Sequence, residues 1–271
     1  MSNSESSLPP KSGAFQWTQS PNPEWKPGDG LGDTPAAKKW REDEEQGWKE
    51  FRPQDMELRS LHRLMTSGIA PRPVSFVSTL SADGVPNLAP FSWFQMITHR
   101  PPMIMFSAGR WNGPVKDTVT NIKATNEFTV NLISEPWIEA ANFASVEAPP
   151  DVSEWIGSGL RMEPSTIVKP PRVRESAFSM ECEIYKIVEI PDPVDPDFIR
   201  MNVVFGLVKL IHVRNAVLKP DDTLDVGLFK PIARLGSSTY ATLGEAFTIV
   251  SPKWDAVKDD VESLEKQASG P

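Results

Sequence analysis

The chain has a single cysteine, Cys182, in 271 residues. That excludes an internal disulfide framework and suits a reducing compartment. Histidine is almost as scarce: His62, His99 and His212 lie far apart, none beside the cysteine. Zinc-finger spacing and the HExxH helix are therefore absent, and no metal site is expected. Basic charge is in deficit, with 28 Lys and Arg against 36 Asp and Glu for a formal net charge of −8. A surface that reads phosphate backbones normally carries a net basic field, so nucleic acid is not the expected partner. No stretch approaches the roughly 18 consecutive apolar residues of a membrane span. Residues 1–10 are Ser-rich without the apolar core of a secretory signal. These absences predict a cytoplasmic protein that neither enters nor binds a membrane.

What is present is an ordinary globular composition, 39% hydrophobic and 24% charged. The length suits one large domain or two small ones. Proline, at 27, and tryptophan, at 9, are the two counts that stand out. Four of the indoles, Trp17, Trp25, Trp40 and Trp48, fall in a polar, Pro- and Gly-containing stretch before residue 54 that also carries the acidic run Glu42-Asp43-Glu44-Glu45. No apolar periodicity is sustained there. The stretch is either a loose tail or an extended arm whose indoles dock on the domain or on a partner subunit.

Beyond it, Met56, Leu61, Leu64 and Met65 predict a helix from Gln54 to Thr66 that Gly68 ends. Period-two alternation from Val74 to Thr79, an Asp83-Gly84 turn and the run Val85 to Phe91 predict a hairpin. Pro86 and Pro90 mark its second strand as an edge or a bulge. A strand from Met103 to Ser107 follows. A helix is then expected on Val115, Val119 and Ile122, led in by Asn112-Gly113-Pro114. Phe128 to Leu132 alternates as a strand, and Ser134 starts a further helix that turns Trp137, Ile138 and Ala141 toward the core. Ala148 to Ser176 reads as irregular. Two strong strands, around Phe178 to Ile184 and Val203 to Val213, are bridged by a surface loop from Pro191 to Asp197. Ser251-Pro252 caps an amphipathic last helix carrying Trp254, Val257, Val261 and Leu264. No internal repeat is found. The pattern predicts a mainly β chain, an antiparallel closed or half-closed barrel with peripheral helices.

Several chemistries are missing. Gly28-Asp29-Gly30-Leu31-Gly32 has neither a strand before it nor a helix after it, so it is no dinucleotide-binding fingerprint. There is no phosphate-cradling Walker run and no Gly-x-Ser-x-Gly elbow. Lys116-Asp117-Thr118 opens a predicted helix, where free N–H groups and the dipole favour an anion such as a phosphate monoester. Equally, Asp117 and Thr118 simply cap a surface helix. Ser78, Thr79, Asn87 and Ser92 either line one rim of the barrel or are solvent-facing strand residues.

These residues also carry a resemblance. Pro71-Arg72-Pro73-Val74-Ser75-Phe76-Val77-Ser78-Thr79, Asp83-Gly84, Asn87-Leu88-Ala89-Pro90-Phe91-Ser92-Trp93-Phe94 and Arg100-Pro101-Pro102 resemble the opening of the flavin reductase-like, FMN-binding split-barrel family. The likeness runs on through Lys116-Asp117-Thr118, Asn121-Ile122, Glu127-Phe128, Glu181-Cys182, Phe205-Gly206, His212 and Arg234-Leu235-Gly236 with Tyr240. It spans about Leu64 to Gly244 and is nearest the flavoredoxin-like branch. One departure is Ser237-Ser238 after Gly236, where many relatives continue with glycine.

The resemblance implies a six-stranded split barrel that forms a homodimer, with FMN near the subunit interface. It implies that Arg72, Ser78 and Thr79, with Asn87, Ala89, Pro90 and Ser92, meet the isoalloxazine and ribityl chain. Lys116, Asp117 and Thr118, with Asn121 following, would meet the phosphate. His212 would face the nicotinamide of NADH or NADPH, the hydride donor, as the one candidate catalytic side chain. A flat ring needs an apolar slot with a few donors on its polar edge, which a barrel rim supplies. The expected organisation is an arm over residues 1–53, an FMN-binding domain over 54–250 and a C-terminal helix and tail over 251–271. The expected function is an NAD(P)H-dependent flavin reductase, with an acceptor oxygenase or redox protein as a further partner. The rival expectations are an FMN electron carrier or oxidase that does not use NAD(P)H, and a non-enzymatic module that binds a partner through its tryptophan arm.

Overall fold

The computed structural model describes residues 13–110, 113–149 and 152–269. Residues 1–10 and Asn112 of the expected helix lead-in lie outside the described residues. The chain divides into two compact units, one running from His62 to Leu243 and the other joining the chain up to Leu61 with the chain from Gly244 onward.

The larger unit begins within helix α1, Leu58–Gly68, and continues through strands β1, Ser75–Leu80, β2, Pro86–Phe91, β3, Phe94–His99, and β4, Pro102–Gly109. Helix α2, Asp117–Thr125, strand β5, Glu127–Leu132, and helices α3, Ile138–Phe143, and α4, Glu154–Ser158, follow. Two long strands, β6, Phe178–Pro191, and β7, Ile199–Val213, then precede the short pair β8, Ile232–Arg234, and β9, Tyr240–Thr242. The fold is a mainly antiparallel β-sheet with helices. Seven strands pair in the order β2-β1-β5-β6-β7-β4-β3.

One more strand is present than the resemblance implies. Phe94–His99 was not recognisable because its six residues show no alternation and only Ser92-Trp93 separate it from β2. That short link has a further consequence. β2 and β3 occupy opposite ends of the hydrogen-bonded order, yet three Cα steps reach at most about 11 Å. The sheet therefore curls until its two ends meet: the Phe91 and Phe106 rings lie 4.9 Å apart, and the Ser107 N–H donates to the Trp93 carbonyl at 2.9 Å. Among the described residues no ladder pairs β2 with β3, so the hydrogen-bonded sheet stays open along that seam.

The hairpin turn at Ser81 to Val85 has the expected chemistry. Gly84 takes φ +85°, a conformation that glycine adopts without a Cβ penalty, and its N–H donates to the Ser81 carbonyl. β2 is an edge strand, as its prolines require. Its register pairs Pro90 with Phe76 and Pro86 with Leu80, alternate positions whose N–H would point away from β1. The outward N–H between them, that of Leu88, is taken by the Glu154 carboxylate at 3.1 Å.

The concave side of the sheet holds one core, where Val77, Phe106, Phe128, Val130, Cys182 and Val204 pack with Val119 and Ile122 of α2. On the other side Phe76, Leu88, Trp137, Ala141, Trp155 and Val173 form a second core beneath α3 and α4. β1 is thus covered on both faces, Val77 facing one core and Phe76 the other. This overturns the solvent-facing alternative for Ser78, Thr79 and Asn87: all three are buried. Alternation alone cannot tell a one-sided strand from one covered on its second face by distant helices.

Other boundaries also differ. The helix expected over 54–66 is a 3-10 turn at Pro53–Asp55 followed by α1, and Leu64 and Met65 of its stripe stay exposed. The supposedly irregular stretch 148–176 holds α4 and a two-residue ladder, Met162–Glu163 with Arg172–Val173. Ser134 leads into a 3-10 turn, Glu135–Trp137, before α3 begins. Gly206 on β7 packs so closely that an added Cβ would stand 2.5 Å from Phe128 Cζ.

In the smaller unit the N-terminal stretch is not without structure. Gln16–Trp17 pairs in parallel with Glu245–Ala246, and Thr34 caps a helix over Pro35–Glu44. The last helix, Trp254–Ala268, starts after Lys253 without a side-chain cap, so Ser251-Pro252 precedes it and does not cap it. Within this unit Ala37 is the one buried apolar residue among those described, and Trp17, Trp40, Trp48 and Trp254 are exposed, Trp48 to 94%.

Candidate functional site

Four of the expected cofactor residues, drawn from three separate segments, meet in one hydrogen-bonded cluster. The Asn87 amide on β2 donates to Thr118 Oγ1 on α2 at 3.0 Å and to Thr79 Oγ1 on β1 at 3.4 Å. The Asn121 amide, one turn further along α2, donates to Thr79 Oγ1 at 3.0 Å. All four side chains are buried. Satisfied buried amides of this kind fix geometry, so the cluster locks the start of α2 against the β1–β2 hairpin. Ser78 points its hydroxyl elsewhere and that oxygen has no partner.

Lys116 and Asp117 stand at the start of α2, as expected. Lys116 is its N-cap, and the N–H groups of Val119 and Thr120 already use the Lys116 carbonyl. The amides of Asp117 and Thr118 have no partner among the described residues, which leaves two donors and the positive end of the dipole facing outward. The lysine is not idle: its Nζ lies 2.8 Å from Glu147 Oε1. Both side chains are exposed, and an exposed pair of this kind holds weakly. Glu154 is nearby and buried. Burial pushes its carboxyl above the ordinary range, the hydrogen bonds from its own and the Leu88 N–H pull it back, and the Asp117 charge pushes it up again.

Three more expected residues, Arg72, Pro90 and Ser92, line a cavity of about 150 Å³ in the larger unit. Its remaining walls come from His62, Thr66, Val74, Trp93, Ser145, Arg234, Gly236, Ser237 and Tyr240. Arg72 and Arg234 face each other across a backbone bridge, each N–H donating to the other's carbonyl at 2.9 Å. Arg72 is 7% exposed, and its terminal nitrogens donate to the carbonyls of Thr66, Ile69 and Gly236. Its Nε has no partner. Burial, and then the Arg234 charge, hold this guanidinium below its ordinary pKa. Arg234 lies over the Tyr240 ring at 4.1 Å and donates to the Ser237 carbonyl. Among the described residues lining the cavity there is no carboxylate. Ala89, between Asn87 and Pro90 on β2, is not among the lining residues.

His212 sits elsewhere, near the end of β7, and does not line this cavity. Its Nε2 is 2.6 Å from Oε1 of Glu181, which is fully buried. That carboxylate also accepts the N–H groups of Thr166 at 2.7 Å, Ile167 at 2.6 Å and Val168 at 3.0 Å. Burial works to raise the Glu181 pKa, but the hydrogen bonds from Thr166, His212, Ile167 and Val168 outweigh it and leave it depressed. Next to it Cys182 is buried, and burial with the Glu181 charge pushes its thiol far up, so it is not a nucleophile.

Several residues of this site carried no assignment from sequence. Arg234 and Tyr240 stood in a quoted motif and could have been assigned from it. Glu154 lay in the stretch read as irregular, and His62, Ser145 and Glu147 have no local signal.

The chain matches the family model of the flavin reductase like domain over residues 67–225. It is 38% identical over 192 residues to an uncharacterized protein of Aquifex aeolicus (strain VF5), covering 70% of this chain and 94% of that one. Among solved structures it resembles nitrilotriacetate monooxygenase component B from Bacillus cereus at 30% identity and TM-score 0.71, covering 75% of this chain and 99% of the other. It also resembles the 2-nitrobenzoate 2-nitroreductase NbaA of Pseudomonas fluorescens at 25% identity and TM-score 0.67, over 76% and 98% of the two chains. A protein with a split barrel domain from Shewanella frigidimarina shares the fold at 19% identity and TM-score 0.64, over 76% and 100%. No helix among the described residues is long and apolar enough to cross a membrane, and no described cluster of His, Cys, Asp or Glu could hold a metal.

Proposed function

The chain belongs to the flavin reductase like domain family, whose flavin-related oxidoreductase character it shares, and from that premise we propose that it is an NAD(P)H-dependent flavin reductase that binds FMN without a covalent bond. The observation that carries this reading is the convergence of the β1, β2 and α2 motif segments on one buried cluster, Thr79, Asn87, Thr118 and Asn121. The cluster holds the start of α2 rigid, so that the Asp117 and Thr118 amides and Lys116 present a fixed set of donors to a phosphate. Glu147 would be displaced from Lys116 as the phosphate arrives. Val74, Pro90 and Trp93 offer an apolar wall to a flat ring, and Ser92 with Arg72 offers polar contacts at its edge.

These residues suit a flavin in kind: a slot with cationic and hydroxyl lining, no carboxylate, and an orphaned buried donor at Arg72 Nε. A cavity of about 150 Å³ is half the roughly 300 Å³ at which ligand pockets begin. A second copy of the chain would supply the rest, which favours a homodimer and a split-barrel arrangement of the curled sheet. When bound, FMN supplies the hydride-accepting centre for NADH or NADPH. The chain's own part is to bind, orient and exclude water, so no acid or base is demanded of His212; with Glu181 holding its ring, it acts as a positioning residue for the 166–168 loop. The Bacillus cereus neighbour is a monooxygenase component, which favours use of the reduced flavin by a separate oxygenase.

Purified protein that shows no yellow chromophore and takes up no FMN would end this reading. Stopped-flow mixing with NADH and NADPH separates a reductase, whose flavin bleaches directly, from a carrier that needs a partner reductase.

A further inference from the structure

The smaller unit is made from both ends of the chain, and the flavin reading gives it no task, since the family model begins only at residue 67. Its parts hold one another. Gln16–Trp17 pairs with Glu245–Ala246, Trp25 Nε1 donates to the Gly30 carbonyl at 2.8 Å, and an added Cβ at Gly28 would stand 2.9 Å from Leu264 Cδ1 of the last helix. Yet Ala37 alone is buried among its described apolar residues, too little core for a unit that stands by itself in water. Trp17, Trp25, Trp40, Trp48 and Trp254 are exposed, from 49% to 94%. Five indoles so placed present on the order of 500–800 Å² of aromatic surface. One partner gives about 800 Å² to a stable interface, and the exposed Phe247, Ile249 and Val250 add to what this unit offers.

Charge identifies the occupant. The smaller unit holds 11 Lys and Arg against 17 Asp and Glu, which is −6 of the chain's −8, so two such units repel each other. The larger unit carries a complementary face. Met162–Glu163 pairs with Arg172–Val173, the Arg174 N–H donates to the Arg161 carbonyl at 2.9 Å, and Arg214 donates to the Arg174 carbonyl at 2.9 Å. Four guanidiniums are thereby gathered, with Lys169 on the loop between the two strands of the ladder. Arg161 and Arg174 pair with Glu175 and Glu163, whereas Lys169, Arg172 and Arg214 have no carboxylate partner among the described residues. Met162 and Ile167 are exposed within this face.

We infer that the indole-bearing unit of one copy packs against the 161–174 face of a second copy. Its tryptophans lie over Met162, Ile167 and the guanidinium planes, a contact that suits both the apolar and the cationic groups. Its acidic run faces Lys169, Arg172 and Arg214. Within that run Lys39 pairs with Glu42 and Asp43, which leaves Glu44 and Glu45 without an ion pair among the described residues. The indoles stay exposed in the single chain, so their cover comes from outside it, and a second copy brings the matching charge and apolar groups with it.

The test uses the full-length protein, with and without FMN, and the same outcome is expected in both. Carbodiimide joins carboxylates to lysines at zero length. A link from Glu44 or Glu45 to Lys169 is expected by mass spectrometry in the covalently dimeric band of a denaturing gel and not in the monomeric band. Trp40→Ala with Trp48→Ala should weaken self-association at least about thirtyfold by sedimentation, as loss of one aromatic interface anchor does. Arg172→Glu with Arg214→Glu should weaken it at least about tenfold by setting like charges against each other, and Glu44→Lys with Glu45→Lys added to that variant should restore it. The wild-type cross-link needs no variant and so stands even if a substituted chain fails to fold. A link confined to the monomeric band would give the cover to the chain's own larger unit and overturn the inference. So would the absence of the link, or self-association unchanged in the indole variant, which would mean that two copies meet through their larger units alone. A monomeric wild type would overturn it as well and leave the indoles to a different protein.

Discussion

Glu181→Gln removes one charge from the interior while keeping the shape of the side chain. Four donors converge on the carboxylate, the N–H groups of Thr166, Ile167 and Val168 and the Nε2 of His212. Oε1 takes Thr166 and His212, and Oε2 takes Ile167 and Val168. A glutamine has one oxygen, so either orientation sets its NH₂ against two former donors. A lost hydrogen bond to a charged group costs about 1.5–3 kcal/mol, so two cost about 3–6 kcal/mol. If His212 changes tautomer and accepts from the new amide, only Thr166 is orphaned and the loss falls to about 1.5–3 kcal/mol. For a unit of this size about 2–4 °C of melting temperature goes with each kcal/mol. The variant should therefore melt at least about 3 °C lower at neutral pH by calorimetry.

The pH dependence adds a second reading of the same variant. The Glu181 pKa is depressed in the folded protein, so its contribution is complete above the unfolded value of 4.5 and is lost as pH falls through the lower folded value. The gap between wild type and variant should be widest at neutral pH and narrow as pH falls through the lowered folded value. A melting temperature unchanged at neutral pH, or a gap that widens in acid, would refute the claim that this carboxylate is held ionised by the 166–168 loop and His212.

Lys116→Met should weaken FMN binding about tenfold to a hundredfold in a fluorescence titration, the worth of one charge-assisted contact, with little change in melting temperature because the Glu147 pair is exposed. Glu147→Gln should act oppositely and tighten FMN binding, since it frees the lysine; equal affinity in both variants would move the phosphate elsewhere. Gly206→Ala forces a methyl to within 2.5 Å of the Phe128 ring in a closed core, so it should cost about 1–3 kcal/mol in urea unfolding. Glu154→Gln keeps an acceptor for the Leu88 N–H but removes a charge whose pKa burial raises. Wild type loses stability as pH rises through that raised value, so the variant should melt higher than wild type at neutral pH and equally near pH 4.

The strands and turns that carry the fold were legible locally. The Asp83-Gly84 turn, the edge status that Pro86 and Pro90 impose and the helix start at Asp117 follow from backbone chemistry within a few residues, and each stands in the structure. The motif order from Arg72 to Tyr240 likewise identified the family. Strand β3 escaped because its side chains do not alternate, and the solvent-facing alternative for Ser78, Thr79 and Asn87 fails because alternation reports one face of a strand and not what covers the other.

Local chemistry and motif order are enough for the class of protein: a net-acidic, mainly β chain with one cysteine and a flavin reductase-like order of motifs. Tertiary structure alone decided which polar groups meet. Asn87 reaches Thr118 across 31 residues, Glu181 reaches His212 across 31, and Arg72 and Arg234 are joined across the intervening chain by a backbone bridge. No local propensity encodes a contact between residues so far apart, because their partners are chosen by strand register and by the packing of two cores on either side of β1.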